Sequence, residues 1–304
     1  MPNINDLKEV GSIGAKAIEY AKTIIKPGSS LIEIANKIEN FIKSNNVQLA
    51  FPVNLSINEI AAHYTPSIND KTIINGNEVI KIDLGARKGD ALSDCAITID
   101  LSNNYQNLIK ASEEALNAAI SKVKAGISVN EIGREVEEVA KKYNVNPIKN
   151  LGGHGIEKGS LHARIFIPNY DNGDDTKLDE GEIIAIETFL TIGKSGFVDE
   201  TDYVEIYSSL GINIRSRRAE TRSLYEFINN NFSTYPFATR WLINDENDEF
   251  KVKTGISELL RSNALEPYPA LIEKSNGIVA QTEKTMIVEK VSCMVTTEFK
   301  LNYI

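Results

Sequence analysis

Only two cysteines occur in the 304 residues, Cys95 and Cys293. Two thiols so far apart make no disulfide framework, and the lack of paired thiolates excludes zinc-finger chemistry. Positive charge is short as well. Lysines and arginines number 33 against 42 aspartates and glutamates, a formal net charge of −9 with both signs mixed along the chain. That balance argues against bulk nucleic-acid or anionic-membrane binding. No apolar run approaches the roughly 20 residues that span a bilayer. The nearest, "IIAIETFLTI", is broken by Glu187. The opening "MPNINDLKEV" has no apolar signal-peptide core. No G-x-S-x-G occurs to support a serine nucleophile. A soluble cytoplasmic protein is expected, with no membrane and no DNA partner. Its 42% hydrophobic content suffices for one large or two ordinary domains.

What is present is acid in unusual places. In "EVIKIDLGARKGDALSDCAITID" (78–100), Asp83 and Asp94 interrupt two apolar runs that read as strands. Between them "RKGD" supplies a turn with a glycine. A hairpin centred between Lys88 and Gly89 would make Asp83 and Asp94 direct cross-strand neighbours on one face, with Cβ atoms about 4.5–5.5 Å apart. Like charges so placed are destabilising, and a shared proton, a cationic side chain or a metal must compensate them.

The chain also repeats itself. "KPGSSLIEIANKIENFIKSNNV" (26–47) aligns with "KAGISVNEIGREVEEVAKKYNV" (124–145), with nine identities in twenty-two positions. Each segment follows a helix-like run, 7–25 or 106–123. Each carries a serine N-cap, Ser30 or Ser128, with Glu33 or Glu131 three residues on, as a capping box requires. "EVIKID" (78–83) likewise matches "EIIAIE" (182–187), which makes Asp83 and Glu187 equivalent. Two αβ halves folded face to face would bring such acids together at a pseudo-twofold seam. Residues 209–268 break the repeat. "SRRAETRSLYEFINNNF" and "GISELLRSNAL" read as helices with "FATRWLI" between them, an inserted helical subdomain. It divides a first part, 1–208, from final strands, 269–304. "GIVAQTEKTMIVEK" (277–290) is again strand-like, with Glu283 inside it.

Asp83, Asp94, Glu187 and Glu283 are thus four carboxylates in apolar strands. Of the three histidines, His63, His154 and His162, the glycines around His154 in "GGHGI" permit close backbone approach. Four carboxylates and an imidazole suit a pair of hard or borderline divalent cations, held about 3.5–4 Å apart by shared carboxylates and able to activate a water.

The segments "AAHYTP", "KIDLGARKGDALSDCAITI", "GGHGI", "LHARIFIPN", "AIETF" and "AQTEKTMIV", in that order, resemble type II methionine aminopeptidase across roughly residues 5–290. The aspartate pair is shared with all pita-bread metallohydrolases, prolidase included, whereas "AAHYTP" and the 209–268 insertion are more specific to type II. No creatinase-type domain or charged extension precedes the match, as in the compact archaeal form. The resemblance implies a pita-bread α/β (α+β) fold and a monomer. It also implies removal of initiator methionine from nascent N-termini with a small second residue, near the ribosome, by metal-bound hydroxide attack on the scissile carbonyl. It assigns Asp83 to one metal, Asp94 and Glu283 to both, and His154 and Glu187 to the second. Glu187 is also the general base. His162 stabilises the tetrahedral intermediate, His63 borders the leaving-group side, and Phe51, Leu161 and Tyr268 form the methionine pocket. Two divalent ions, cobalt, manganese, iron or zinc, are implied as cofactors. One departure stands out: Lys284 follows the last glutamate, where the family usually has histidine. A non-catalytic relative that binds ribosomes or RNA, and a prolidase-type peptidase, are the alternatives. Arg215, Arg217, Arg218 and Arg222 are read as a solvated face rather than an RNA site.

Overall fold

The computed structural model describes residues 2–244 and 247–304. Helices α1 (Ile4–Ile24) and α2 (Leu31–Ser44) lead into short strands β1 (Gln48–Leu49), β2 (Asn54–Ile57) and β3 (Ile60–Ala62). Strands β4 (Val79–Leu84), β5 (Ala86–Lys88), β6 (Ala91–Leu92) and β7 (Cys95–Asp100) complete the first half. The second half repeats this plan with α3 (Gln106–Lys122), α4 (Val129–Tyr143), β8 (Asn146–Pro147), β9 (Gly152–Glu157), β10 (Ser160–Pro168) and β11 (Ile183–Thr191). Then come β12 (Val198–Ser209), α5 (Ala219–Phe232), β13 (Phe237–Ala238), a 3-10 turn (Thr239–Leu242) and α6 (Glu249–Arg261). Strands β14 (Leu265–Glu273), β15 (Val279–Val288) and β16 (Cys293–Val295) close the chain.

The amphipathic pattern of α2 shows why the helices lie where they do. Leu31, Ile34, Ile38 and Ile42 fall on one stripe at helical spacing, and all four are buried. Each contributes about 1.5–3 kcal/mol of transfer free energy when fully buried. Helices α1 and α3 pack on the strands of a central sheet, ordered β10-β9-β11-β15-β7-β4-β2 and wholly antiparallel in its pairings. The two halves therefore meet edge to edge, through the β7–β15 pairing, rather than face to face as the repeat had suggested. The internal twofold extends to single hydrogen bonds. Gly28 N donates to Ile74 O and Leu31 N to Thr72 O; Gly126 N donates to Leu178 O and Val129 N to Thr176 O in the other half. The capping box forms at only one of the two expected places. Glu131 accepts from Ser128 N and Oγ, at 3.5 and 2.8 Å, whereas Ser30 makes no side-chain cap bond.

The hairpin register corrects the sequence expectation. Asp83 lies opposite Ala96, and Lys88 opposite Ala91, so the turn is centred between Gly89 and Asp90. Gly89 takes the left-handed φ of +58°. Asp83 and Asp94 still share a face, because the shift is two positions and side chains alternate, but they are diagonal neighbours.

Strands β12 and β14 pair with each other and form a second sheet, ordered β13-β12-β14-β3. Between them α5 and α6 pack on a cluster that includes Tyr207, Leu224, Ile228, Phe237 and Leu259. Helix α6 starts earlier than "GISELL" suggested, because Asp248 Oδ1 caps it by accepting from Lys251 N at 2.9 Å. It ends earlier too: Asn263 adopts φ +53°, which turns the chain into β14. "FATRWLI", left unassigned between the helices, is a short strand followed by the 3-10 turn.

Candidate metal centre

One row of residues crosses five strands on the inner face of the central sheet. Asn54 pairs with Asp83, Asp83 with Ala96, Ala96 with Glu283, and Glu283 with Glu187. With strands about 4.8 Å apart, the carboxylates on either side of Ala96 start roughly 10 Å apart at the backbone and reach inward over a methyl group. A larger residue at 96 would fill that space. His154 enters from β9, opposite Ala185, two residues along the strand from Glu187. The glycines of "GGHG" serve a neighbouring strand rather than a ligand: a Cβ on Gly153 would meet Ala185 O at 2.3 Å.

Two groups of ligand atoms result, Asp94–His154–Glu283 and Asp83–Glu187–Glu283, each with its atoms within 4.8 Å of one another. Glu283 belongs to both. Glu187 stands with Asp83 here, whereas the family resemblance pairs it with His154. His154 Nε2 lies 3.6 Å from Asp94 Oδ2 and 3.8 Å from Glu283 Oε1. Asp83 Oδ1, Asp94 Oδ1 and both Glu283 oxygens are buried with no hydrogen-bond partner. A protein interior does not hold that many unsatisfied carboxylate oxygens without a cation or protons to compensate them. No lysine or arginine nitrogen forms an ion pair with these four acids among the described residues. Lys284, the departure from the family pattern, bonds Glu298 at 3.1 Å and leaves its neighbour Glu283 unpaired.

Burial dominates the titration of the site. It raises Asp83 to about 7, against hydrogen bonds from Gln281 and Asp94 that lower it. Burial, then the neighbouring acids, push Asp94, Glu187 and Glu283 well above the carboxylate range. Burial and the nearby His162 lower His154 to about 3 and His63 to about 4, so both rings are neutral at neutral pH. Oxygen-rich acids with a neutral imidazole form a donor set suited to divalent metal.

Beside the acids lies a cavity of about 340 Å³, and Phe51, His63, Leu161, His162 and Tyr268 all line it. The His63 ring meets Tyr268 edge-on at 5.7 Å, and His162 meets His154 at 4.4 Å. His63 occupies a left-handed backbone conformation, φ +63°. Sequence reasoning passed over several members of the site. Gln281 donates to Asp83 at 3.2 Å and to Glu187 at 2.7 Å. Thr285 Oγ1 exchanges hydrogen bonds with the backbone of Asp94 at 2.7 and 2.8 Å. Ile206, Pro236 and Phe189 add apolar wall. The one available signal was spacing: Gln281 and Thr285 flank Glu283 at i±2 and must share its face.

A family model for metallopeptidase family M24 matches residues 5–215. A methionine aminopeptidase of Pyrococcus abyssi is 43% identical over 297 residues, covering 97% of this chain and all of that one. The chain belongs to metallopeptidase family M24, with the methionine aminopeptidases. As a member it is a hydrolase that binds divalent metal, and the carboxylate row is the candidate site for it. The fold agrees with solved structures. A methionine aminopeptidase of Thermotoga maritima superposes with a TM-score of 0.70 at 17% identity, over 97% of this chain and 98% of that one. A thermophilic Arx1 superposes with a TM-score of 0.83 at 19% identity, over 98% and 93%. At those identities the likeness is one of fold, the pita-bread fold expected for M24.

Proposed function

We propose that this chain, a methionine aminopeptidase, removes the N-terminal methionine from nascent proteins with a small second residue, in the cytoplasm and near the ribosome, as a monomer. We assign it two divalent cations, of cobalt, manganese, iron or zinc, and read 209–268 as an inserted helical subdomain. The observation that carries this reading is the orphaned carboxylate cluster at the floor of an apolar cavity. A non-catalytic relative has no use for such a cluster, which costs stability unless cations fill it.

Asp83, Asp94, His154, Glu187 and Glu283 would hold the cations. When bound, those cations supply an activated water and polarise the scissile carbonyl. The side chains divide the remaining work. Glu187, whose Oε1 accepts from Gln281 at 2.7 Å, is the carboxylate that takes the proton from the attacking water. His162 lines the cavity and donates to the oxygen on which charge develops. His63, neutral and held against Tyr268, lies on the leaving-group side and crowds the second residue of the substrate. Phe51, Leu161 and Tyr268 surround the methionine side chain.

Release of methionine from Met-Gly-Met-Met, compared with cleavage of an Xaa-Pro dipeptide, tests the activity. Faster Met-Gly cleavage is expected, and preferential Xaa-Pro cleavage assigns the protein to the prolidase type. For His63→Ala we expect a fall in kcat/KM with metal stoichiometry unchanged; a variant isolated without metal shows that His63 is a ligand instead. Tyr268→Ala and Phe51→Ala are each expected to raise KM for methionine substrates by about 10–200-fold, the range for loss of fit in an apolar pocket. Lower melting temperatures with unchanged KM would make both residues structural only.

A further inference from the structure

The inserted segment 234–241 touches both elements that carry the cavity's histidines. At one end Thr234 Oγ1 donates to Gly159 O at 2.7 Å, and Gly159 N donates to Tyr235 Oη at 3.2 Å. Gly159 is the tip of the hairpin whose strands β9 and β10 bear His154 and His162. In the middle, Pro236 forms cavity wall, and Phe237 and Ala238 pair with β12. At the other end Arg240 is buried, 6% exposed. It donates to Thr65 Oγ1 at 2.7 Å and to Pro66 O at 3.0 Å, and it pairs with Glu39 of α2. Trp241 Nε1 donates to the other oxygen of Glu39 at 2.8 Å, and Val53 N approaches Glu39 Oε1 at 3.3 Å. Thr65 in turn donates to Val53 O at 2.8 Å, beside Asn54 of the carboxylate row. The turn so held follows His63 directly, and His63 is the residue in a left-handed conformation that a side chain rarely adopts.

Surface ion pairs contribute little, but a buried guanidinium has a different role. Five donors in a planar fork can fix several acceptors in one geometry, which a single ammonium cannot. Arg240 spends its fork on Glu39, Thr65 and Pro66, three points from two elements, and pairs with none of Asp83, Asp94, Glu187 and Glu283. We propose that Arg240 is a positioning residue: through Thr65 and Pro66 it holds His63 in its strained conformation against the cavity, which makes the inserted subdomain a strap over the catalytic site. The proposal rests on the role given to His63 above, and it goes beyond that role by naming what places the ring.

The test uses Arg240→Met, Arg240→Lys and, in case the arginine variants fail to fold, Thr65→Val, which removes the hydroxyl and keeps the shape. Each is measured alone and with His63→Ala. Arg240→Met is expected to lower kcat/KM about 100-fold at unchanged metal content, the scale for a misplacement of about 1 Å. Arg240→Lys is expected to recover only part of this. In the His63→Ala background the same change is expected to cost about twofold or less, since a residue acting through His63 has nothing left to position. A second readout is independent of activity. Diethylpyrocarbonate labels neutral imidazole, and with three histidines in the chain each adduct is assignable by mass spectrometry. His63 labelling is expected to rise about tenfold in Arg240→Met and in Thr65→Val, with His154 unchanged. Additive losses together with unchanged His63 labelling would overturn the proposal and make Arg240 a strut of the fold. If His63→Ala keeps full activity, the assigned role of His63 fails, and labelling alone decides whether Arg240 holds the ring.

Discussion

Glu283→Gln is expected to lower kcat/KM by about 100-fold or more, since losing even an outer partner of a metal site costs about 10–100-fold. Glu283 is the member common to both ligand groups, and both of its oxygens are buried without a partner. The amide keeps the shape but loses the charge and one of two acceptor oxygens. A second effect of opposite sign is expected from the same change. Without metal, Glu283 is a buried acid facing Asp94, Glu187 and Asp83. Glutamine removes that repulsion, so the metal-free variant should melt above metal-free wild type at pH 7.5. Lost activity together with gained metal-free stability is the mark of a residue kept for function at a cost in stability. Wild-type activity with unchanged metal content would remove Glu283 from the centre.

The other large effect is the dependence of stability on metal and pH together. The folded pKa of Asp83 is raised to about 7, mainly by burial. A raised folded pKa gives a contribution that is full below the unfolded value, near 4, and is lost as pH rises through 7. The other three acids shift the same way. His154 and His63 run oppositely. Their folded values, about 3 and about 4, lie below 6.5, so their contribution is full above 6.5 and lost as pH falls. Metal-free protein is therefore penalised from both sides, by the acids near neutrality and by the histidines in acid. Bound cations remove the acid penalty because they favour ionised carboxylates, whereas protons compete with them at low pH. Each site filled at a thousand times its Kd adds about 4 kcal/mol, and two sites should raise the melting temperature by about 10 °C or more at pH 7.5. The gap between loaded and metal-free protein should narrow at pH 5. Equal melting temperatures at both pH values would mean that protons, not metal, compensate the row.

The acids were legible in the sequence because charge inside an apolar strand is rare, and because the two halves repeat it at Asp83 and Glu187. Side-chain alternation then placed Asp83 and Asp94 on one face even with the turn assigned one residue too early: that error shifts the pairing by two and preserves the face. What stayed hidden was uncharged or distant. Ala96 makes the room for the centre but reads as any small strand residue, and its position between Asp83 and Glu283 exists only once β7 pairs with β15. Gln281 and Thr285 carry no signal beyond their spacing from Glu283. Arg240 and Glu39 are 201 residues apart, and nothing in the local sequence around either one points to the other. The difference at the helix caps, by contrast, is local. Ser30 and Ser128 have the same local sequence signature, but in the first half Glu33 lies against Lys37, at 3.7 Å, instead of closing a box. Local pattern sets which residues can meet, and the register of long-range strand pairing decides which of them do.

The central claim is that the carboxylate row works as a metal centre cleaving the bond after an N-terminal methionine. The most direct measurement is a titration of chelator-treated protein with cobalt or manganese while methionine release from Met-Gly-Met-Met is followed. The expected result is no release without metal, onset with added metal, saturation at a stoichiometry of no more than two ions per chain, and reversal by chelator. Methionine release that persists in fully metal-free protein, or none at any metal concentration, would contradict it.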